Sequence, residues 1–289
     1  MGRRPSPSGG RLTRVHAPPE PPDRAAGSGT NGGREAVQRW RLVIRRDVLS
    51  GEVSQREQAA AWEASLVASG LPIAGLDATK PKARVAVAAP LAAGTPGEAE
   101  LADLWLVERT ARWRVREALV ANLPPGYALV DVFDIWLGEP PLPGRVAASV
   151  YRAALAPPVD AGRLSAAAVA LLAADTLPRE RHKGDATVRY DLRPFLAGLD
   201  VAPAPDGGAV LRMTLRHDPA KGVGRPDETL AALAQTLGEP VVPASLVRER
   251  LVLAEPATAE PPAPRGPRRP GTVRSGSDPR SGPPRAGGH

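Results

Sequence analysis

The sequence predicts an α+β fold: two ferredoxin-like (βαββαβ) α/β sandwiches in tandem, between disordered tails. Three observations point there. Strand-like and helix-like runs follow the order β-α-β-β-α-β from residue 37 to 147. The same order recurs from 148 to 256, without detectable identity between the halves. The ends, 1–36 and 257–289, are rich in Pro, Gly, Ser and Arg and contain no aromatic residue. Such segments cannot bury enough surface to offset chain entropy. Short strands alternating with helices are also compatible with one larger sheet.

The elements follow from local pattern. "WRLVIRR" (40–46) alternates apolar and basic residues and is β-branched, as a strand is. "SQREQAAAWEASLVASG" (54–70) is alanine-rich, with Ser54 placed as N-cap, Glu57 completing a capping box, and Gly70 and Pro72 as stop signals. "KARVAVAAP" (82–90) and "GEAELADLWLVER" (97–109) are expected strands. In "TARWRVREALVANLPPG", Trp113, Val115, Ala118, Leu119 and Leu123 approximate helical spacing, and Pro124 and Pro125 end the helix. "YALVDVFDIWL" (127–137) alternates as a strand.

In the second half, 148–155 is an expected strand and 160–175 a helix. Residues 186–196 and 208–218 are expected to pair as a hairpin. Pro226 near the first helical position and acids in the first turn mark a helix over 225–238. Residues 241–253 close with a strand. Trp40, Trp105, Phe133, Trp136 and Tyr190 are expected in the core, and Trp62 and Trp113 are expected to anchor their helices to the sheet.

Composition excludes several functions. With no cysteine in 289 residues, the chain has no thiolate zinc site, iron–sulfur cluster, cysteine nucleophile or disulfide. No apolar run reaches the roughly 18 residues needed to span a bilayer. The arginines at the N-terminus are followed by no apolar stretch of a signal peptide. A cytoplasmic protein without membrane contact is expected. The net charge is +7, but 12 of the 38 basic residues and 5 of the 31 acidic ones lie in the ends, leaving 26 of each between them. The expected folded part is therefore neutral, and the excess charge sits in the tails.

Three stretches are candidates for binding an anion or RNA. Lys80, Lys82 and Arg84 crowd the mouth of the second strand, where Pro81 favours extended chain. "PRERHKGDATVRYDLRP" (178–194) is the densest basic run between the tails, and Arg189 and Arg193 share one face of an extended segment. These two are also spaced to bracket Asp191 in a structural salt bridge. "GVGRPDE" (222–228) sets two glycines before a helix N-terminus, with Lys221 and Arg225 adding charge. Each has a plainer reading as a solvated loop or cap. No metal site is expected: only His182 and His217, of four histidines, lie outside the tails. No phosphate-binding loop, nucleophile elbow or acid/base pair is readable, so no catalytic residue is assigned.

The chain resembles the radical-SAM-linked proteins of bacteria over about 39–254. The resemblance is carried by "RLVIRR", "SGLPIAG", "KPKARVAVAAPLAAGTPGEAELADL", "LPPGYALVDVFDIWLGEPPL", "VRYDLRPFL" and "GVGRPDETLAAL", in that order. It implies a radical SAM protein as partner and, from the usual gene neighbourhoods, a link to RNA. Two positions depart from the family pattern. Where the family has Ser-His-Leu-Asp, this chain has Ser54-Gln55-Arg56-Glu57. Where it has Asn-Pro-His-Pro-Lys, this chain has Ala78-Thr79-Lys80-Pro81-Lys82. Neither Gln55 nor Lys80 titrates like imidazole near neutral pH. The expected function is a non-catalytic accessory module for a radical SAM protein, presenting RNA or another anionic substrate. A stand-alone RNA-binding or RNA-processing protein and a nucleotide- or small-molecule-modifying enzyme are the alternatives.

Overall fold

Alternation in the first strand, β1 (Gln38–Arg46), sends Trp40, Leu42 and Ile44 into a core beneath two helices and turns Arg39 and Arg41 to the other face. The computed structural model describes residues 33–48, 54–92, 94–183 and 186–255. Both end segments expected to be disordered lie almost wholly outside the described residues. The fold is mixed α+β, with four α-helices and one large mixed sheet among the described residues.

After β1 come α1 (Gln55–Ala68), β2 (Val85–Val87), β3 (Gly97–Leu106), α2 (Arg112–Asn122) and β4 (Tyr127–Ile135). The Ser54 side chain accepts from the Glu57 N–H, and the Glu57 carboxylate accepts from the Ser54 N–H, so the expected capping box closes α1. β1 lies between β3 and β4, and β2 pairs with β3, all antiparallel. The lateral order is β4-β1-β3-β2.

A 3₁₀ turn, Leu142–Arg145, leads into β5 (Val146–Leu155). Then follow α3 (Ala161–Ala173), β6 (Pro178–Lys183), β7 (Ala186–Asp191), β8 (Leu196–Pro203), β9 (Ala209–Asp218), β10 (Gly222–Val223), α4 (Pro226–Leu237) and β11 (Ser245–Leu253). β5 lies between β9 and β11, and β8 pairs with β9, again all antiparallel. The order β11-β5-β9-β8 repeats the lateral pattern of the first half. Gly97 on β3 pairs in parallel with Arg248 on β11, and this joins the halves into a nine-stranded sheet. The single larger sheet, rather than two separate ones, is what forms.

Each half has its own apolar core. Leu66 of α1 and Val115 and Leu119 of α2 pack with β1, β3 and β4. Leu164, Ala168 and Leu171 of α3 and Leu230 and Leu233 of α4 pack with β5, β8 and β9. By area burial, each such leucine contributes about 1.5–3 kcal/mol.

The expected hairpin of 186–196 with 208–218 does not form. Residues 186–191 pair instead with 178–183 in a separate two-stranded ribbon. The Asp191 carboxylate closes that ribbon by accepting from the N–H groups of Leu177 and Arg193. A 3₁₀ turn, Arg193–Phe195, then redirects the chain, and β8 takes the place beside β9.

Candidate functional site

Helix α1 is a poor space-filler. On the side that lines the cleft, its sequence QREQAAAWEASLVA offers only a methyl group at Ala59 and polar Gln58 and Glu63 beside Trp62 and Leu66, and Leu66 is the one buried residue among those described. The helix therefore leaves a cleft of about 540 Å³ between itself and the sheet. Leu42, Ile44, Val85, Ala102 and Leu104 form the sheet side, and Trp62 and Leu66 the helix side. Trp62 is fixed edge-on to Tyr127, with ring centres 5.0 Å apart. This volume falls in the range of small-molecule sites, about 300–1,000 Å³.

The polar groups gather at the boundary of this cleft. Lys82, Arg46, Gln58 and Glu63 line it, and so does Glu100. Glu100 is held by Arg248, whose Nε donates to it at 2.8 Å and whose Nη2 also bonds it. The same guanidinium donates to the carbonyls of Pro90 and Ala89 at 3.0 and 3.1 Å. Arg46 donates to the Leu91 carbonyl at 3.4 Å. Lys82 has no ion-pair partner among the described residues, so its ammonium is available to a ligand.

The Lys80–Arg84 stretch is shaped by its backbone. The N–H groups of Lys82 and Arg84 donate to the carbonyls of Gly75 and Ala74 at 3.0 and 2.8 Å. Gly75 has φ +89°, and a side chain there would collide with the Lys82 carbonyl oxygen. Lys80 and Lys82 are exposed. Arg84 points elsewhere: its guanidinium lies 4.7 Å from the Trp105 ring centre, and Arg39 lies over the same ring at 4.6 Å. That ring borders a buried network in which Asp103 accepts from Arg39 (2.5 and 3.1 Å) and Arg41 (2.9 and 3.1 Å). Glu139 bonds both Arg41 and Arg145.

The other two basic stretches come together elsewhere. Arg181, Tyr190, Lys221, Arg225 and Glu228 surround a recess of only about 30 Å³, which has room for little more than a water. Arg225 is paired with Asp227 at 2.7 Å. Burial and the neighbouring Glu228 carboxylate push the Tyr190 phenol up to about 12, so it stays neutral. Arg189 pairs with Glu180 at 2.6 Å on the exposed ribbon. Arg193 spends its guanidinium on the carbonyls of Leu172, Ala174 and Leu196, closing the C-terminal end of α3. The expected bracketing of Asp191 by Arg189 and Arg193 therefore does not occur, because Asp191 serves backbone N–H groups. Of the seven candidate cations, Lys82 alone lines the large cleft. The side chains of Gln55 and His182 lie outside what the structure describes.

Sequence reasoning did not find the cleft. Its signal was present: a helix face that reads Gln58, Ala59, Trp62, Glu63 and Leu66 carries one small and two polar residues and does not fill the space beneath it. A second unforeseen feature is Ser149, fully buried, whose Oγ lies 2.8 Å from His217 Nε2. Burial, and then the charge of Arg248, hold His217 below its ordinary value of 6.5. Phe133, Trp136 and Trp113 correct the expectation of buried aromatics, being 47%, 75% and 69% exposed. Trp113 does not anchor α2; Val115 and Leu119 do. Among the described residues, no group of three or more His, Asp or Glu side chains is placed to hold a metal. No helix among them is long and apolar enough to cross a membrane.

A family model described as an uncharacterised protein conserved in bacteria matches residues 51–224, from just before α1 to just past β10. The match covers more than half the chain and includes most of the cleft-lining residues. No curated protein matches the chain.

Proposed function

Because the chain belongs to the DUF2344 family of uncharacterised proteins conserved in bacteria, we propose that it is a non-catalytic accessory module which holds a largely apolar, singly anionic molecule in the cleft under α1 for a radical SAM protein to act on. The carrying observation is the cleft itself: about 540 Å³, walled by aliphatic and aromatic side chains, with the unpaired Lys82 at its boundary. Apolar walls with a few polar groups are the usual build of a ligand site. The partner is inferred from the resemblance to radical-SAM-linked proteins. Without cysteines the chain cannot hold the cluster such chemistry needs, so the cluster would belong to the partner.

The architecture supports a two-module reading. Leaving aside the inserted β6–β7 ribbon and the two-residue β10 of the second half, each half has β-α-β-β-α-β order and the lateral strand order fourth-first-third-second, as a ferredoxin-like unit has. We read 37–147 as the ligand-holding unit and 148–256 as its support, reaching the cleft through Arg248 on Glu100.

A fluorescent probe with an aromatic body and a sulfonate, 8-anilinonaphthalene-1-sulfonate, tests the site. The full chain is expected to bind it with enhanced emission. Lys82→Glu should weaken binding about tenfold, and Ala59→Trp, which fills the cleft from α1, should abolish it. Binding unchanged in both variants would remove the cleft from the proposal. Affinity capture of the tagged full chain from its native cells tests the partner separately: recovery of a radical SAM protein would support it, and repeated capture without one would remove the partner from the proposal.

A further inference from the structure

We infer that the corner of the sheet formed by the start of α2 and the end of β4 is a binding surface for single-stranded polynucleotide. None of its residues lines the cleft, so the inference is independent of the ligand proposed there.

The topology brings its parts together. β3 and β4 are both antiparallel to β1, so they run in the same direction and finish at the same end of the sheet. Helix α2 starts shortly after β3 ends, which puts Trp113 at that end with Phe133 and Trp136. Gln38 ties the pieces: its Nε2 donates to Asp134 at 2.7 Å, and its Oε1 accepts from the Thr110 N–H at 2.8 Å. The Arg112 guanidinium lies 6.0 Å from the Phe133 ring centre and bridges the helix to the strand. The sequence has ten aromatic residues, and three of them stand exposed at this corner. In an ordinary core-first economy of so few rings, these would be buried.

The surrounding charge selects the partner. Arg109, Arg112, Arg114 and Arg116 are exposed along the approach to α2 and its first turns. Of the nearby acids, Glu108 pairs with Arg34 and Asp131 with Arg112, while Asp134, which accepts from the Gln38 amide, and exposed Glu117 on α2 keep their charge. Arg109 and Arg114 have no bonding partner among the described residues. Two guanidinium groups without a bonding partner thus stand in sequence beside Trp113 at the end of the sheet where Trp136 lies, while Phe133, in register with Arg41, shows its ring on the opposite face at the same edge. Flat π faces take bases, and the cations take the phosphates between them. A partner strand adding to the sheet is disfavoured here. Arg112 Nε and Arg116 Nη1 already donate to the carbonyls of Val132 and Val130 on β4, at 2.9 and 3.3 Å. The edge is therefore covered rather than offered.

The test uses the full chain and fluorescence anisotropy with short labelled oligo(U), oligo(dT) and a DNA duplex. Single strands should bind and the duplex should bind far more weakly. Trp113→Ala and Trp136→Ala should each weaken single-strand binding by roughly tenfold or more, and the phenylalanine variants should retain most of it. Arg109→Ala and Arg114→Ala should each lower the slope of log affinity against log salt by about 0.7. Circular dichroism should be unchanged, since all four side chains are exposed. Preference for oligo(U) would identify RNA as the source, and equal binding would identify single strands of either kind. Wild-type affinity in both tryptophan variants would overturn the inference and assign binding to the arginine-rich ends. So would absence of single-strand binding at low salt. Loss of self-association in the tryptophan variants, without any oligonucleotide binding, would also overturn it and make the corner a protein interface.

Discussion

Replacing Arg248 by Met tests how the two halves are held together. Arg248 is 1% exposed and Glu100 8%, and they sit where the halves meet. The direct ladder between the halves is a single residue pair, Gly97 with Arg248. The substitution removes both bonds to Glu100 and those to the Pro90 and Ala89 carbonyls. It leaves a buried carboxylate without its cation, and breaking such a pair costs about 3–5 kcal/mol. For a fold of this size, each kcal/mol shifts Tm by about 2–4 °C, so a fall of roughly 6–20 °C is expected. Removing both charges, in Arg248→Met/Glu100→Met, should recover much of the loss, because no unpaired ion remains. The assay exploits a sequence asymmetry: all five tryptophans lie at or before residue 136. Tryptophan emission therefore reports the first half, and far-ultraviolet circular dichroism reports both. In urea the two signals should coincide for the wild type and separate for Arg248→Met. A loss below about 1 kcal/mol, still-coincident transitions, or a double variant as unstable as the sum of the singles would refute the reasoning.

Two further predictions follow from local geometry. Gly75→Ala forces a side chain into a backbone with φ +89° and against the Lys82 carbonyl, so it should cost about 1–3 kcal/mol in urea unfolding and weaken probe binding in the cleft. His217 is held below 6.5, so between that value and its lower folded value the unfolded chain binds more protons than the folded one. Its contribution is fully present above about pH 6.5 and is lost as pH falls through this window. The stability difference between wild type and His217→Gln should therefore shift against the wild type on acidification from pH 7.5 to 5.5, as read by urea midpoints; parallel profiles would count against it.

The elements that the sequence announced most clearly are those with local signatures. The Ser54–Glu57 capping box and Pro226 at the start of α4 are one-turn patterns, complete within a few residues. β8 was missed because LAGLDVAP mixes small residues with an incomplete alternation, and its place is set by the turn at Arg193–Phe195 and by β9. The Glu100–Arg248 pair spans 148 residues, and no local pattern announces it. Arginine's role is the least legible. Arg193 and Arg225 sit in basic stretches that look ligand-ready, yet one closes a helix end and the other an ion pair. Exposure of Trp113 and Trp136 was hidden for a different reason: large aromatic residues normally mark a core, and sequence alone does not say which end of a sheet lacks cover.

The arginines on β4 also bear on how far this architecture can extend. In the second half the fourth strand of the repeat, β11, turns its outer side to a neighbouring unit and so lengthens the sheet. In the first half the corresponding strand is β4, and Arg112 and Arg116 occupy its carbonyls from the protein's own helix. The junction that joins unit two to unit one is thus plugged on unit one. Two carbonyls that a further strand would need on this edge are taken by the protein's own helix, which disfavours lengthening the sheet beyond β4.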